Sequence, residues 1–169
     1  MTSSPNNKIY FSGSLQGIRH CDPNFSWELV QFMKKLGFEV LSEHVAAKTQ
    51  KEGEDIFFMK TNIDRRKLDK AWFSTFDVDM GWVDKANYLV AVVDGPSHGV
   101  GMEIMRALLK GERGLNITNI LCLVNENNLE KLSWMIRGIS KQKYPNFSLK
   151  TYTDLLSAKN LVKKFLETH

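Results

Sequence analysis

Residues 88–106 limit the possible folds more than any other stretch of this chain, because they combine a buried strand, a sharp turn and a helix start. The six residues 88–93 are largely apolar, as is typical of a strand buried on both faces. The Asp-Gly-Pro sequence at 94–96 turns the chain, and apolar residues recur at helical spacing from Val100 onward. Glu103 is therefore predicted in the first or second helical turn, near the carboxyl-terminal edge of a sheet, where open α/β sheets bind ligands.

The same turn offers groups that suit an anion. Ser97 supplies a hydroxyl, and Gly99 and Gly101 allow a ligand to approach the backbone closely. The unpaired N–H groups at the start of a helix favour phosphate. We therefore expect a phosphate group to bind at this turn.

Strands and helices alternate along the whole chain. Further strands are predicted at Lys8–Ser12, 38–42, 119–124 and Phe147–Tyr152, and helices at 23–36, 56–68, the later part of 72–86, 129–139 and 155–165. Parallel strands need crossover connections long enough to carry a helix. The pattern predicts an α/β fold, a single-domain Rossmann-like or flavodoxin-like three-layer sandwich with a five-stranded parallel sheet.

The predicted domain covers residues 8–169, and residues 1–7 are polar and predicted to be disordered. Residues 46–70 are charged and only weakly periodic, so a mobile flap is an alternative to the helix predicted there. With 169 residues, 43% of them hydrophobic, the chain is long enough for one domain with a full core.

The amino-acid composition limits the kinds of ligand and the cellular compartment that we expect. Lys and Arg outnumber Asp and Glu by 23 to 19, a net charge of +4 that suits a small anionic substrate, but the basic residues are scattered, so nucleic-acid binding is not indicated. The two cysteines, Cys21 and Cys122, lack metal-type spacing and fit a reducing compartment. Neither a signal peptide nor a membrane span is visible. We expect a soluble cytoplasmic protein and leave entry into the nucleus open.

Two carboxylates and several small polar groups are predicted at one sheet edge. Glu103 follows the central strand, and Asp79 comes from the preceding helix. The aromatic hydroxyl of Tyr10 and four phosphate-compatible residues complete the pocket: Gly13, Ser14, Ser97 and Gly99. Glycosidic cleavage needs one carboxylate at the anomeric carbon and another to protonate the leaving group, and a nucleobase can be that leaving group.

Five blocks in order give the chain a resemblance to a known family. They are Ile-Tyr-Phe-Ser-Gly-Ser at 9–14, Leu-Ser-Glu-His-Val at 41–45, Asp-Met-Gly-Trp-Val at 79–83, Pro-Ser-His-Gly-Val-Gly-Met-Glu at 96–103 and Leu-Ser-Trp-Met-Ile-Arg-Gly at 132–138. Together they resemble the 2'-deoxynucleoside 5'-phosphate N-hydrolases of the nucleoside deoxyribosyltransferase superfamily. The resemblance implies hydrolysis of a deoxynucleoside 5'-monophosphate to free base and 2-deoxyribose 5-phosphate, without cofactor or metal.

The resemblance also implies roles for individual residues. Glu103 matches the nucleophile that forms a covalent deoxyribosyl intermediate, Asp79 matches the acid that assists departure of the base, and Tyr10 matches the residue that positions the nucleophile. Substrate contacts are implied for Gly13, Ser14, Leu15, Gln16, Gly17, Ile18, Arg19, Ser97 and Gly99, for Phe25 and His44 at the base end, and for Ser133 and Met135 from the neighbouring subunit of a homodimer.

The chain departs from the family pattern at two positions. Gln16 stands where close relatives carry an arginine, which removes a fixed positive charge from the phosphate loop although Arg19 remains. His98 replaces an apolar residue. Tyr10 resembles the choice of the deoxyribose-selecting members, because the ribonucleotide-cleaving relatives carry phenylalanine there.

Other interpretations compete with this one. Glu103 also suits a residue that complements the helix dipole, and Asp77 is a rival to Asp79. Trp72, Trp82 and Met80 are interpreted as packing residues, and the adjacent residues 20–22 (His-Cys-Asp) are poorly placed to share one metal ion. A base-exchanging deoxyribosyltransferase and a non-catalytic nucleotide-binding module are the alternative functions.

Overall fold

The protein is described by a computed structural model covering residues 7–14 and 24–168. In this described part of the chain, five parallel strands form one sheet in the order β2-β1-β3-β4-β5. Their bounds are β1 Lys8–Ser12, β2 Glu39–Val40, β3 Tyr88–Val92, β4 Asn119–Asn125 and β5 Phe147–Tyr152. The predicted five-stranded parallel sheet is therefore confirmed.

Within residues 7–14 and 24–168, six α-helices connect or follow these strands. They are α1 Phe25–Lys35, α2 Gln50–Thr61, α3 Ala71–Lys85, α4 His98–Leu108, α5 Trp134–Arg137 and α6 Leu155–Glu167, with short 3-10 segments at Glu43–Ala46, Arg65–Lys67, Gly111–Arg113 and Glu126–Lys131. Within the described ranges, we find no helix that is both long and apolar enough to cross a membrane.

Two hydrophobic clusters cover the two faces of the sheet. Because successive side chains of a strand point to opposite faces, Tyr10 packs in the cluster under α2, α3 and α4, whereas Phe11 packs in the cluster under α1 and α6. Helices thus lie on both faces of the central sheet, which confirms the three-layer sandwich.

The order of the strands places a crevice at the carboxyl ends of β1 and β3. The connection from β1 runs through α1 to β2 on one side, and the chain then returns past β1 to β3 on the other side. In open α/β sheets, neighbouring strands whose connections leave in opposite directions open a crevice at this switch point, and ligands bind there. Strand β1 supplies Tyr10 and the helix after β3 supplies Glu103, two of the three candidate catalytic residues.

The second strand is shorter than the predicted 38–42, because a side chain replaces part of its backbone pairing. The Ser42 hydroxyl accepts a hydrogen bond from the Phe11 N–H at 2.8 Å and donates one to the Phe11 carbonyl at 2.7 Å. The chain is therefore free to leave the sheet and enter the 3-10 segment Glu43–Ala46.

The helices of residues 46–70 also differ from the prediction. The Thr49 hydroxyl caps α2 by accepting from the Glu52 N–H at 3.2 Å, so the helix begins before residue 56, and it ends at Asn62 in the left-handed conformation. Ile56 and Phe57 are buried, so α2 is packed on the domain.

Three further boundaries differ from the predictions. Helix α3 spans all of Ala71–Lys85, although only its later part was predicted to be helical. The helix predicted at 129–139 is divided into Glu126–Lys131 and α5, because Leu132 is extended and Ser133 caps a new helix. Asn7, assigned to the polar N-terminus, hydrogen-bonds through its amide to the Gly37 carbonyl at 3.3 Å.

Candidate active site

Glu103 is held by two hydroxyl groups from the first strand. The Tyr10 hydroxyl donates a hydrogen bond to Oε1 at 2.8 Å, and the Ser12 hydroxyl donates one to Oε2. Tyr10 and Ser12 lie two residues apart on β1, so their side chains point to the same face of the sheet. The carboxylate of Glu103 is therefore oriented by both of its oxygens.

Burial and hydrogen bonding act in opposite directions on Glu103. Burial raises the pKa of its carboxyl group above the usual value, and the hydrogen bonds from Ser12 and Tyr10 offset only part of that rise. Burial raises the pKa of Tyr10 well above its usual value, and the nearby carboxylates of Glu103 and Asp79 raise it further. Tyr10 therefore remains a protonated hydrogen-bond donor to an acceptor carboxylate.

Asp79 provides a second carboxyl group in a different state. Burial, followed by repulsion from Glu103, raises its pKa from 3.8 to about 7, although the positive charge of Arg65 opposes the rise. Its Oδ1 atom is buried and has no hydrogen-bond partner among the described residues. The rival carboxylate Asp77 is exposed on the same helix. Asp79 can thus carry a proton near neutral pH, as a general acid must.

Both carboxyl groups line one cleft of about 330 Å³ between α3 and α4. The lining residues, which define this active-site cleft, are Trp72, Thr75, Phe76, Asp79, Met80, Gly99, Met102 and Glu103. The walls are largely apolar, and Trp72 is 62% exposed. A pair of carboxyl groups whose environments favour different protonation states is an arrangement that divides nucleophile from acid.

A cation next to the cleft fixes one turn of α3. Arg65 forms a bidentate pair with Glu54 at 3.0 and 2.9 Å, lies over the Phe57 ring at 3.9 Å, and donates to the Thr75 hydroxyl at 3.3 Å. Thr75 is one helical turn before Asp79, so both lie on the same face of α3. Arg65 therefore couples the 3-10 segment after α2 to the helix that carries Asp79.

His44 is buried close to the same cation. Its ring packs against Phe57 and Trp82, with centroids 5.1 and 5.6 Å away. Burial, reinforced by Arg65 and Lys60, lowers the pKa of His44 to about 3. A neutral imidazole therefore occupies this position, just after the end of β2.

Four of the residues predicted to bind phosphate lie where the carboxyl ends of β1 and β3 meet. Gly13 and Ser14 follow β1 directly. Ser97 caps α4, its hydroxyl accepting from the Val100 N–H at 3.4 Å. A Cβ atom added to Gly99 would lie 4.0 Å from Oε1 of Glu103, so this glycine borders the carboxylate.

Phe25 is not brought to this group, and Ser133 and Met135 were predicted to reach it only from a neighbouring subunit. Phe25 is buried on the opposite face of the sheet, stacked on Tyr152 with ring centroids 5.0 Å apart, because the start of α1 packs on that face. Ser133 and Met135 are exposed around α5. Leu15, Gln16, Gly17, Ile18 and Arg19 lie outside the described residues, as do the residues of the rejected metal motif, His20, Cys21 and Asp22.

Several residues of the site were not predicted from the sequence. Ser12 is one, and its period-two spacing from Tyr10 is the signal that predicts their shared face. Thr75, Phe76 and Met102 also line the cleft and were not predicted. Trp72 was wrongly interpreted as a packing residue, whereas Trp82 and Met80 are buried as expected, and Met80 also lines the cleft. Among the described residues, we find no group of three side chains suited to a metal ion.

Comparisons with known proteins found several relatives of this chain. No family model matches the chain. A 5-hydroxymethyl-dUMP N-hydrolase of Danio rerio is 33% identical over 95% of this chain and 96% of its own length, and one of Esox lucius is 37% identical over 77% of each. A protein of Thermofilum pendens named as a 2'-deoxynucleoside 5'-phosphate N-hydrolase is 31% identical over 88% of this chain and 87% of its own.

A solved structure shows the same fold. It is a CMP N-glycosidase of Clostridium botulinum, which superposes with a TM-score of 0.58 over 94% of this chain and 98% of its own. The two sequences are 15% identical, so the likeness concerns the arrangement of strands and helices alone.

Proposed function

The chain belongs to the family of 2'-deoxynucleoside 5'-phosphate N-hydrolases, and from this premise we propose that it hydrolyses the N-glycosidic bond of 2'-deoxynucleoside 5'-monophosphates. The products are a free nucleobase and 2-deoxyribose 5-phosphate. The observation that carries the proposal is the pair of carboxyl groups in one cleft, with Glu103 oriented by two hydroxyl donors and Asp79 able to hold a proton near pH 7.

In the first step, Glu103 attacks C1' of the bound deoxyribose and forms an ester bond. The C1'–N bond breaks, its electron pair leaves with the base, and Asp79 donates the proton that the base needs. Ionised Glu103 suits the nucleophile, because two hydrogen bonds fix its oxygens while the cleft removes water from them.

In the second step, water attacks C1' and releases the sugar. Asp79, now ionised, accepts a proton from the water, the ester bond breaks, and the Glu103 carboxylate returns. Asp79 thus ends the cycle protonated, so no external acid, metal or cofactor takes part in this scheme.

The phosphate of the substrate is assigned to the start of α4 and the end of β1. Ser97, Gly99, Gly13 and Ser14 offer hydroxyl and backbone groups there, and the start of a helix favours an anion. Arg19 and its neighbours in the first loop are assigned to the same phosphate on the family resemblance. His44 is assigned to the base end, where its uncharged ring suits a neutral base.

We assign a homodimer in which Ser133 and Met135 reach the neighbouring cleft. Met135 is 77% exposed and Trp134 beside it is 85% exposed, so α5 offers an apolar surface to a second copy. Light scattering tests the oligomeric state. We expect the natural chain to be a dimer and the Met135→Asp variant to be a monomer. A monomeric natural chain with full activity would contradict the assignment.

Product analysis tests the reaction. Incubation with each dNMP and with 5-hydroxymethyl-dUMP should release free base, and Glu103→Gln should abolish release while Glu112→Gln, an exposed matched control, should not. Base exchange between unphosphorylated nucleosides would favour a deoxyribosyltransferase, and tight binding without turnover would favour a nucleotide-binding module. Mass spectrometry of the natural chain, quenched with acid during turnover, should detect the deoxyribosyl ester on Glu103.

A further inference from the structure

The turn between β3 and α4 is tied to two other strands by a single carboxylate. Asp94 lies two residues after the end of β3. Its Oδ1 accepts a hydrogen bond from the Asn125 N–H at the end of β4, and its Oδ2 accepts one from the hydroxyl of Tyr152, the last residue of β5. Asp94 therefore joins the carboxyl ends of three strands of the sheet.

Tyr152 is itself fixed in place. Its side chain is 1% exposed, and its ring stacks on Phe25 at an interplanar angle of 23°. Phe25 is the first residue of α1 and is fully buried. Because a ring packed in this way has few alternative rotamers, its hydroxyl presents a fixed donor to Asp94.

The anchored turn is short and leads directly into the phosphate-binding groups. Only Gly95 and Pro96 separate Asp94 from Ser97, which caps α4, and Gly99 follows in the first turn of that helix. Proline removes a degree of freedom from the backbone between them. If Asp94 moved, Ser97 would therefore move with it by a similar distance.

We propose that Tyr152 and Asp94 are positioning residues for recognition of the 5'-phosphate. They hold the β3–α4 turn at the position where Ser97 and Gly99 meet the phosphate, and neither contacts the reacting atoms. The inference rests on the proposed function, because it takes a nucleotide phosphate as the ligand of that turn. It gives Phe25 a role in supporting Tyr152 in place of the predicted contact with the base.

The test compares a nucleotide with its phosphate-free nucleoside. We would measure Kd and KM for 5-hydroxymethyl-dUMP, and Kd for 5-hydroxymethyl-2'-deoxyuridine, with the natural chain, Tyr152→Phe and Asp94→Asn. Tyr144→Phe is the matched control, because it removes a tyrosine hydroxyl just before the amino end of β5, far from the turn. Thermal unfolding of every variant shows whether it is folded.

Tyr152→Phe should raise Kd and KM for the nucleotide about tenfold, as expected when one hydrogen bond to a charged group is lost, and should leave Kd for the nucleoside unchanged. Asp94→Asn should stay within about twofold of the natural chain, since the amide oxygen can still accept from Asn125 and the amide N–H can donate to Tyr152. Tyr144→Phe should have no effect.

Two outcomes would overturn the inference. One is an unchanged Kd of Tyr152→Phe for the nucleotide, and the other is an equal loss for nucleotide and nucleoside, which would indicate a general effect on the fold. The proposed function fails separately, if the natural chain releases no base. In that case the two binding constants still decide whether Tyr152 acts through the phosphate.

Discussion

Replacing Asp79 by asparagine should stabilise the protein and inactivate it at the same time. The pKa of Asp79 is about 7 in the folded protein and 3.8 in an unperturbed aspartate, so the folded protein binds a proton more tightly than the unfolded chain. Between pH 4 and 7 the folded state therefore binds more protons, and the free energy of unfolding falls as the pH rises. Asparagine has no such titration.

The magnitude follows from the difference between the two pKa values. That difference corresponds to about 4 kcal/mol at about 1.4 kcal/mol per pKa unit. Because Asp79 retains some contact with solvent, we reduce the expected gain to about 2 kcal/mol above pH 7. For a chain of 169 residues, this amounts to a rise in Tm of about 4–8 °C.

The assay is thermal unfolding of Asp79→Asn and the natural chain at pH 4 and pH 8. Asp77→Asn is the control, because Asp77 is exposed on the same helix and the same substitution changes helix propensity and net charge equally. The gain of Asp79→Asn over Asp77→Asn should be near zero at pH 4 and full at pH 8. An equal gain at both values, or a lower Tm at pH 8, would refute the reasoning.

Three further predictions concern the reaction. In the natural chain, kcat/KM should fall tenfold per pH unit above about pH 7, where Asp79 loses its proton; a flat profile to pH 9 would argue against an acid at this position. Arg65→Met should move this decline in kcat/KM to higher pH, because the charge of Arg65 lowers the pKa of Asp79. A decline at the same pH would show that Arg65 does not affect the pKa of Asp79. Tyr10→Phe should lower kcat about 10- to 100-fold, because Glu103 loses one of its two hydrogen-bond donors. Ser12→Ala removes the second donor and should also lower kcat. Single-turnover rates of both variants check these expectations.

Much of the site could be predicted because its residues are close to recognisable strand ends. Strand β1 and the strand–turn–helix unit around Glu103 are found where the hydrophobic pattern places them. In a parallel sheet, all carboxyl ends meet at one edge, so Tyr10 and Glu103 are expected to be near each other. Their hydrogen bond at 2.8 Å, across 93 residues of sequence, confirms that placement.

The rest depends on contacts that local patterns do not encode. Phe25 follows a helical apolar pattern, but which face of the sheet α1 covers is decided by the strand order. The end of β2 is decided by one hydroxyl group, that of Ser42. The protonation of Asp79 depends on its burial, on the charge of Glu103, and on Arg65, which comes from a segment with weak periodicity.

The brevity of β2 also bears on how copies of the chain associate. This strand forms one border of the sheet and pairs through only two residues before the backbone turns away into the 3-10 segment Glu43–Ala46. A long unpaired border would be a template for a strand of another molecule, and truncation is a common protection against such growth. At this edge the sheet has few unpaired backbone groups that a strand of another molecule could pair with. Contacts between molecules at this edge should therefore not grow into fibrils, and we expect the chain to associate through its helical surfaces.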